Sequence, residues 1–160
     1  MTRLLAALAL AFALCVSPLA VLAQDSSYIK LPNEDPEMAA AKAKARATLG
    51  HFWQKFENPG AGERGFALKV ALPYGQNSTE HIWTKDIERK DGKITAVINN
   101  VPRDVKGVQL GQRIEVADAQ ISDWLYLRGD KMVGNFTILP MLKRLPPEQA
   151  AYYRSIREEP

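Results

Sequence analysis

Between Phe66 and Leu72 the chain alternates: Phe66, Leu68, Val70 and Leu72 share one side, with Ala67, Lys69 and Ala71 on the other. That period of two predicts a half-buried strand, which Pro73 closes. Two more alternating runs, 80–87 and 93–98, flank Asp91-Gly92, a dipeptide that readily takes the positive φ of a tight turn, so they predict a hairpin. Further strands are expected over 111–116 and 121–128, and a short one over 132–136 after the Gly129-Asp130 turn. Upstream of the strands the period changes to 3.6. Met38, Ala41, Ala45, Leu49, Phe52 and Phe56 fall on one face, with Lys44, His51 and Lys55 opposite. Asp35-Pro36-Glu37 supplies a cap, a proline at the first helical position and an acidic first turn, while Asn58-Pro59-Gly60 ends the pattern, predicting one helix over 35–57. Downstream, a helical turn is expected near 141–144 and a polar helix over 148–157 after Pro146-Pro147.

One helix, then consecutive antiparallel strands, then short helices describe an α+β domain. The N-terminal helix packs on a twisted antiparallel sheet of about five strands, and the adjacent strand order leaves a partly closed barrel open as an alternative.

The first residues follow a different logic. Arg3 precedes an apolar run, Leu4 to Val16, that is too short to span a bilayer, followed by Ser17-Pro18 and the small-residue end Val21-Leu22-Ala23. This is the pattern of a secretory signal peptide cleaved after Ala23. Export to the periplasm or medium is therefore expected, with 24–34 as a flexible lead-in, 35–158 as a single domain and no transmembrane span in the mature chain. Cys15 is the only cysteine, so the mature chain has no disulfide or thiol nucleophile. Without Arg3 the 21 basic and 18 acidic residues become 20 and 18, and the charges are interspersed. A nucleic-acid partner is not expected from that distribution. Lys42, Lys44 and Arg46 read as a solvated helix face.

Candidate chemistry is sparse. Zinc sites need clustered histidine and cysteine, and the mature chain offers only His51 and His81; no Gly-rich phosphate loop or nucleophile elbow is present either. No cofactor or metal is expected. His51 reads as an exposed helix residue. His81 shares a strand face with Trp83, where it reads as a structural histidine or as an acid–base group. Asp123 stands inside the apolar run Ile121 to Leu127. Alternation places it with Ile121, Leu125 and Leu127 on the core side, where a carboxylate needs hydrogen-bond donors; a neighbouring loop pegged by its backbone N–H groups is the favoured reading. Trp124 and Tyr126 then form a second small core or an exposed binding patch. Arg128-Gly129-Asp130 reads as turn chemistry rather than an adhesion signal.

Taken in order, Glu80-His81-Ile82-Trp83, Ile98-Asn99-Asn100-Val101-Pro102, Leu110-Gly111-Gln112-Arg113-Ile114, Ile121-Ser122-Asp123-Trp124 and Gly134-Asn135-Phe136-Thr137 resemble the bacterial YegJ-like family, domain-of-unknown-function family 2314. The resemblance implies a bacterial exported protein and brings no activity or catalytic residues with it. The leading functional expectation is a non-enzymatic binding or accessory module of the periplasm or cell envelope, including an inhibitor or immunity-type protein, whose partner is a protein or envelope component. Trp83, Asn99, Trp124, Tyr126, Asn135 and Phe136 are its candidate contact residues. The alternative is a small envelope hydrolase or transferase using His81 and Asp123 as an acid–base pair, with Asn99 or Asn135 orienting the substrate.

Overall fold

The computed structural model describes residues 35–160, so the predicted leader, its cleavage site and the lead-in lie outside the described residues. Helix α1 spans Pro36–Ala47; Asp35 caps it by accepting the Met38 N–H at 2.9 Å. The single helix expected over 35–57 is broken at Thr48. The Thr48 hydroxyl donates to the carbonyls of Lys44 and Ala45 (2.9 and 3.2 Å), and its backbone leaves the helical region at φ −102°, ψ 6°. A hydroxyl competing for the preceding turn's carbonyls bends or interrupts a helix. The chain resumes as α2, Leu49–Glu57.

The break reorients α2, with two consequences for the predicted face. Trp53, outside that face, is buried beside Phe52. His51, expected in solvent, is half-buried: its Nε2 lies 3.1 Å from the Tyr126 hydroxyl and its ring lies alongside those of Trp124 and Tyr126. The predicted core positions after the break still hold: Phe52 is fully buried, and Leu49 and Phe56 pack against the core.

The strands are β1 (Glu63–Tyr74), β2 (Ser78–Lys90), β3 (Lys93–Ile98), β4 (Arg113–Val116), β5 (Ile121–Arg128), β6 (Lys131–Gly134) and β7 (Arg157–Glu158). They form one sheet in the order β4-β3-β2-β1-β5-β6-β7, antiparallel except for the β6–β7 pair. The count exceeds the expected five because the short strand expected over 132–136 forms as β6 and the two-residue β7 adds to it, and the sheet is open with β4 and β7 at its edges, not a barrel. The β2–β3 hairpin turns on Asp91 and Gly92 as expected, both at positive φ (50° and 75°). Arg128-Gly129-Asp130 is likewise the β5–β6 turn. A 3₁₀ helix, Phe136–Met141, and helix α3, Pro147–Ile156, complete the described chain. No helix among the described residues is long and apolar enough to cross a membrane.

Helices α1 and α2 cover one face of the sheet. Leu68, Val70, Ile82, Ile98, Trp124, Tyr126 and Phe136 there have no exposed surface, and the Trp124 indole N–H donates to the Ala45 carbonyl of α1 at 2.9 Å. Trp124 and Tyr126 therefore belong to the main core. Asp123, opposite Lys69 in the β1–β5 pairing, points to the other face, while Ile121 pairs with Val70 and stays in the core. A bulge between the Lys69–Asp123 and Val70–Ile121 pairs leaves Ser122 as the extra residue, and that one insertion reverses the face expected for Asp123. Other irregularities occur in β1 near Gly65 and in β2 between Lys85 and Glu88. Bulges bend and twist the strands that carry them.

Candidate functional site

An open groove runs along the face of the sheet opposite the apolar core. Lys69 and Ala71 of β1 and His81, Trp83 and Lys85 of β2 lie along it; Lys42 and Arg46 of α1, and Tyr152 and Tyr153 of α3, are among the residues at its walls.

Hydrogen bonds around His81 define its tautomer. The Ser122 hydroxyl donates its one proton to the Lys69 carbonyl at 3.0 Å, so it can only accept from the ring nitrogen 2.8 Å away. His81 Nδ1 therefore carries the hydrogen, and Nε2 offers its lone pair to the Lys42 ammonium at 3.0 Å. A second ring proton would displace that bond and face a cation. Burial, then Lys42, Lys69 and Arg46, push the His81 pKa from 6.5 down to about 4, so the ring is neutral at neutral pH. The same surroundings act on the lysines. Burial lowers the pKa of Lys42, with Arg46 adding to the effect, and lowers that of Lys69 despite the opposing pull of Asp123.

Asp123 is fully buried and accepts from four donors: the N–H groups of Trp124 (2.8 Å), Phe136 (3.1 Å) and Thr137 (2.8 Å), and the Thr137 hydroxyl (2.6 Å). Thr137 Oγ1 in turn accepts from the Lys69 ammonium at 2.9 Å. This geometry explains why an aspartate-tryptophan pair and a glycine-asparagine-aromatic-threonine run occur together. A Cβ on Gly134 would lie 2.5 Å from the Trp124 carbonyl oxygen, and Gly134 itself has φ 89°. Asn135 takes the left-handed conformation (φ 49°, ψ 54°), turning the next two N–H groups onto Asp123. Glu80 holds a second loop in the same way, accepting the N–H groups of Arg103, Asp104 and Val105 at 2.9–3.0 Å.

Of the residues singled out from sequence, His81, Trp83, Asn99 and Asn135 line the groove. Trp124, Tyr126 and Phe136 are buried and present no contact surface. His81 and Asp123 lie on the same side of the sheet, but no hydrogen bond joins them among the described residues: the imidazole is held by Lys42 and Ser122, the carboxylate by its four donors. Sequence reasoning passed over Lys42, Lys69, Ser122, Thr137 and Asn100. Asn100 accepts the Trp83 N–H through Oδ1 at 2.8 Å, fixing the strand beneath the tryptophan. Lys42 and Arg46 are not simply solvated, since Arg46 Nε donates to the Ile121 carbonyl at 3.2 Å. A signal for Lys69 was available, a long cation on the small-residue side of a strand. Nothing local marks Lys42 as its neighbour.

The profile of the family described as "Uncharacterized protein conserved in bacteria (DUF2314)" matches residues 35–156. The chain is 39% identical over 90 residues to the uncharacterized protein YegJ of Escherichia coli K12, covering 56% of this chain and 58% of that one. It is 28% identical over 133 residues to a putative ankyrin repeat protein of Neisseria meningitidis serogroup B, covering 78% of this chain and 52% of that one. The chain thus spans little more than half the length of either relative. No solved structure matches.

Proposed function

The chain belongs to the bacterial DUF2314 family, and from that premise and the form of its groove we propose that it is an exported, non-enzymatic binding module whose partner, a protein or an envelope component, docks in the groove. The observation that carries this reading is the contrast between the groove and its supports. The carboxylate of Asp123 is spent on holding a loop and His81 on two neighbours, while Trp83, Lys42, Lys69 and the α3 tyrosines face the open volume. Aromatic rings beside lysine ammonium groups suit recognition. Export rests on the leader-like first 23 residues.

Two measurements test the proposal. Mass spectrometry of the protein recovered from the periplasmic fraction is expected to show an N-terminus at Gln24; an intact Met1 start in the cytoplasmic fraction overturns export. A photo-crosslinking residue at Ala71 or Lys85 is expected to give one discrete adduct in producing cells, and the same residue at Asp91, on the hairpin tip, none. Identical adduct patterns at the two places overturn the groove as the binding face.

A further inference from the structure

We propose that the corner of the groove formed by Lys42, Arg46, Lys69 and His81 binds a phosphate-class dianion, a deepening of the binding-module reading that relies on it only for the groove being the ligand face. The cations come from two elements, α1 and β1, and are assembled by tertiary packing. Lys42 donates to His81 Nε2, Lys69 to Thr137 Oγ1 and Arg46 to the Ile121 carbonyl. None of these acceptors carries a negative charge. Beyond its bond to His81, the Lys42 ammonium has no other hydrogen-bond acceptor among the described residues, whereas the Lys69 ammonium is largely buried and lies over the Trp83 ring.

The nearby carboxylates offset them only in part: Asp123 attracts the Lys69 ammonium, and burial still outweighs that attraction. Asp123, the only carboxylate acting on Lys69, is below the groove floor with all four of its donors inside the protein. Glu80 is turned onto the 103–105 backbone. Asp86 and Glu148 also line the groove but exert no charge effect on His81, whose charged neighbours are Lys42, Lys69 and Arg46 alone. The histidine reports the sum: a ring driven to about 4 by burial and three cations sits in a positive potential that a bound dianion would offset. Flexible lysine ammonium groups beside one arginine suit a compact multivalent oxyanion approached from several sides. The Lys69 ammonium lies 5.1 Å from the Trp83 ring centroid, a cation–π contact that holds it at this corner.

The test is calorimetric and NMR titration of the purified protein at pH 7.5 with inorganic phosphate, glycerol phosphate and acetate. Saturable phosphate binding is expected at pH 7.5, with the His81 ring proton shifts moving in step with occupancy. Lys42→Met is expected to weaken phosphate binding about tenfold or more, the loss of one charge-assisted hydrogen bond, and Lys42→Arg to restore most of it. Equal affinity for the two phosphates assigns free phosphate as ligand, whereas tighter glycerol phosphate assigns a phosphomonoester on a larger molecule. No saturation by ~10 mM, tenfold above a millimolar Kd, overturns the site, as does acetate binding as tightly as phosphate. So does unchanged affinity in Lys42→Met or, if that variant melts early, in Lys42→Gln. Because these titrations use no partner, they fail or succeed independently of crosslinking.

Discussion

The two faces of strands β1, β2 and β5 are built from alternate residues of the same segments, yet they differ in what holds them together. On the helix-covered face, Leu68, Val70, Ile82, Trp124 and Tyr126 lose all contact with water, and their stabilisation scales with apolar area and packing. On the groove face, Lys69, His81 and Asp123 are held by individually placed hydrogen bonds, and the cations there oppose one another. The first face is what a fold needs. The second crowds Lys42, Lys69 and Arg46 around one histidine, an arrangement of like charges typical of surfaces kept for a task.

The comparison breaks most visibly at Trp124. Trp124→Ala removes a fully buried ring that contacts Phe52, Tyr126 and Phe136 and donates to the Ala45 carbonyl. A loss of about 3–5 kcal/mol is expected in urea unfolding, enough to unfold a marginal domain.

The next largest effect is on the acid side. His81 has its folded pKa depressed from 6.5 to about 4, so its stabilising contribution is complete above pH 6.5 and lost as pH falls through about 4. That amounts to roughly 2–3 kcal/mol after allowance for partial exposure. His51, also lowered by burial and then by Lys55, adds in the same direction. In His81→Gln the decline in unfolding free energy between pH 6.5 and 4.5 should flatten. Below 4.5 carboxylates take over, Glu80 among them, because its three backbone N–H bonds outweigh burial and hold its pKa below the usual value. An unchanged slope in the variant would show that the groove histidine titrates normally.

Asp123→Asn tests the boundary between the faces. The amide keeps the shape but turns its NH2 toward two of the four existing donors, so destabilisation of about 1–3 kcal/mol is expected from urea midpoints at neutral pH. An unchanged or higher midpoint would remove the loop-holding role. The smallest effect belongs to Lys42→Met, which relieves repulsion from Arg46 and frees His81 Nε2. Thermal melting within about 0.5 kcal/mol of the parent, or slightly above it, is the expected result for a groove residue that the fold does not require.

How far these residues can be read from the chain depends on how local their partners are. The β2–β3 hairpin needs only Asp91-Gly92 and two alternating runs, and it is found where they predict it. That Asp123 holds a loop by its backbone N–H groups was also within reach, because an aspartate amid apolar residues has to find donors. The face of Asp123 was not, since the bulge at Ser122 shifts the alternation by one residue and leaves no mark in the hydrophobic pattern.

By itself the sequence determined the α+β class, the hairpin, the apolar side of β1 and the need of Asp123 for backbone donors from a loop, because each rests on periodicity, turn chemistry or a burial cost that acts over a few residues. Only the tertiary structure decided that the helix breaks at Thr48, that His51 meets Tyr126, that the sheet stays open and that Lys42 reaches His81 across 39 positions. Those outcomes depend on how a curved sheet and a bent helix pair meet. Contacts between distant segments follow from shape and packing, which no local pattern encodes.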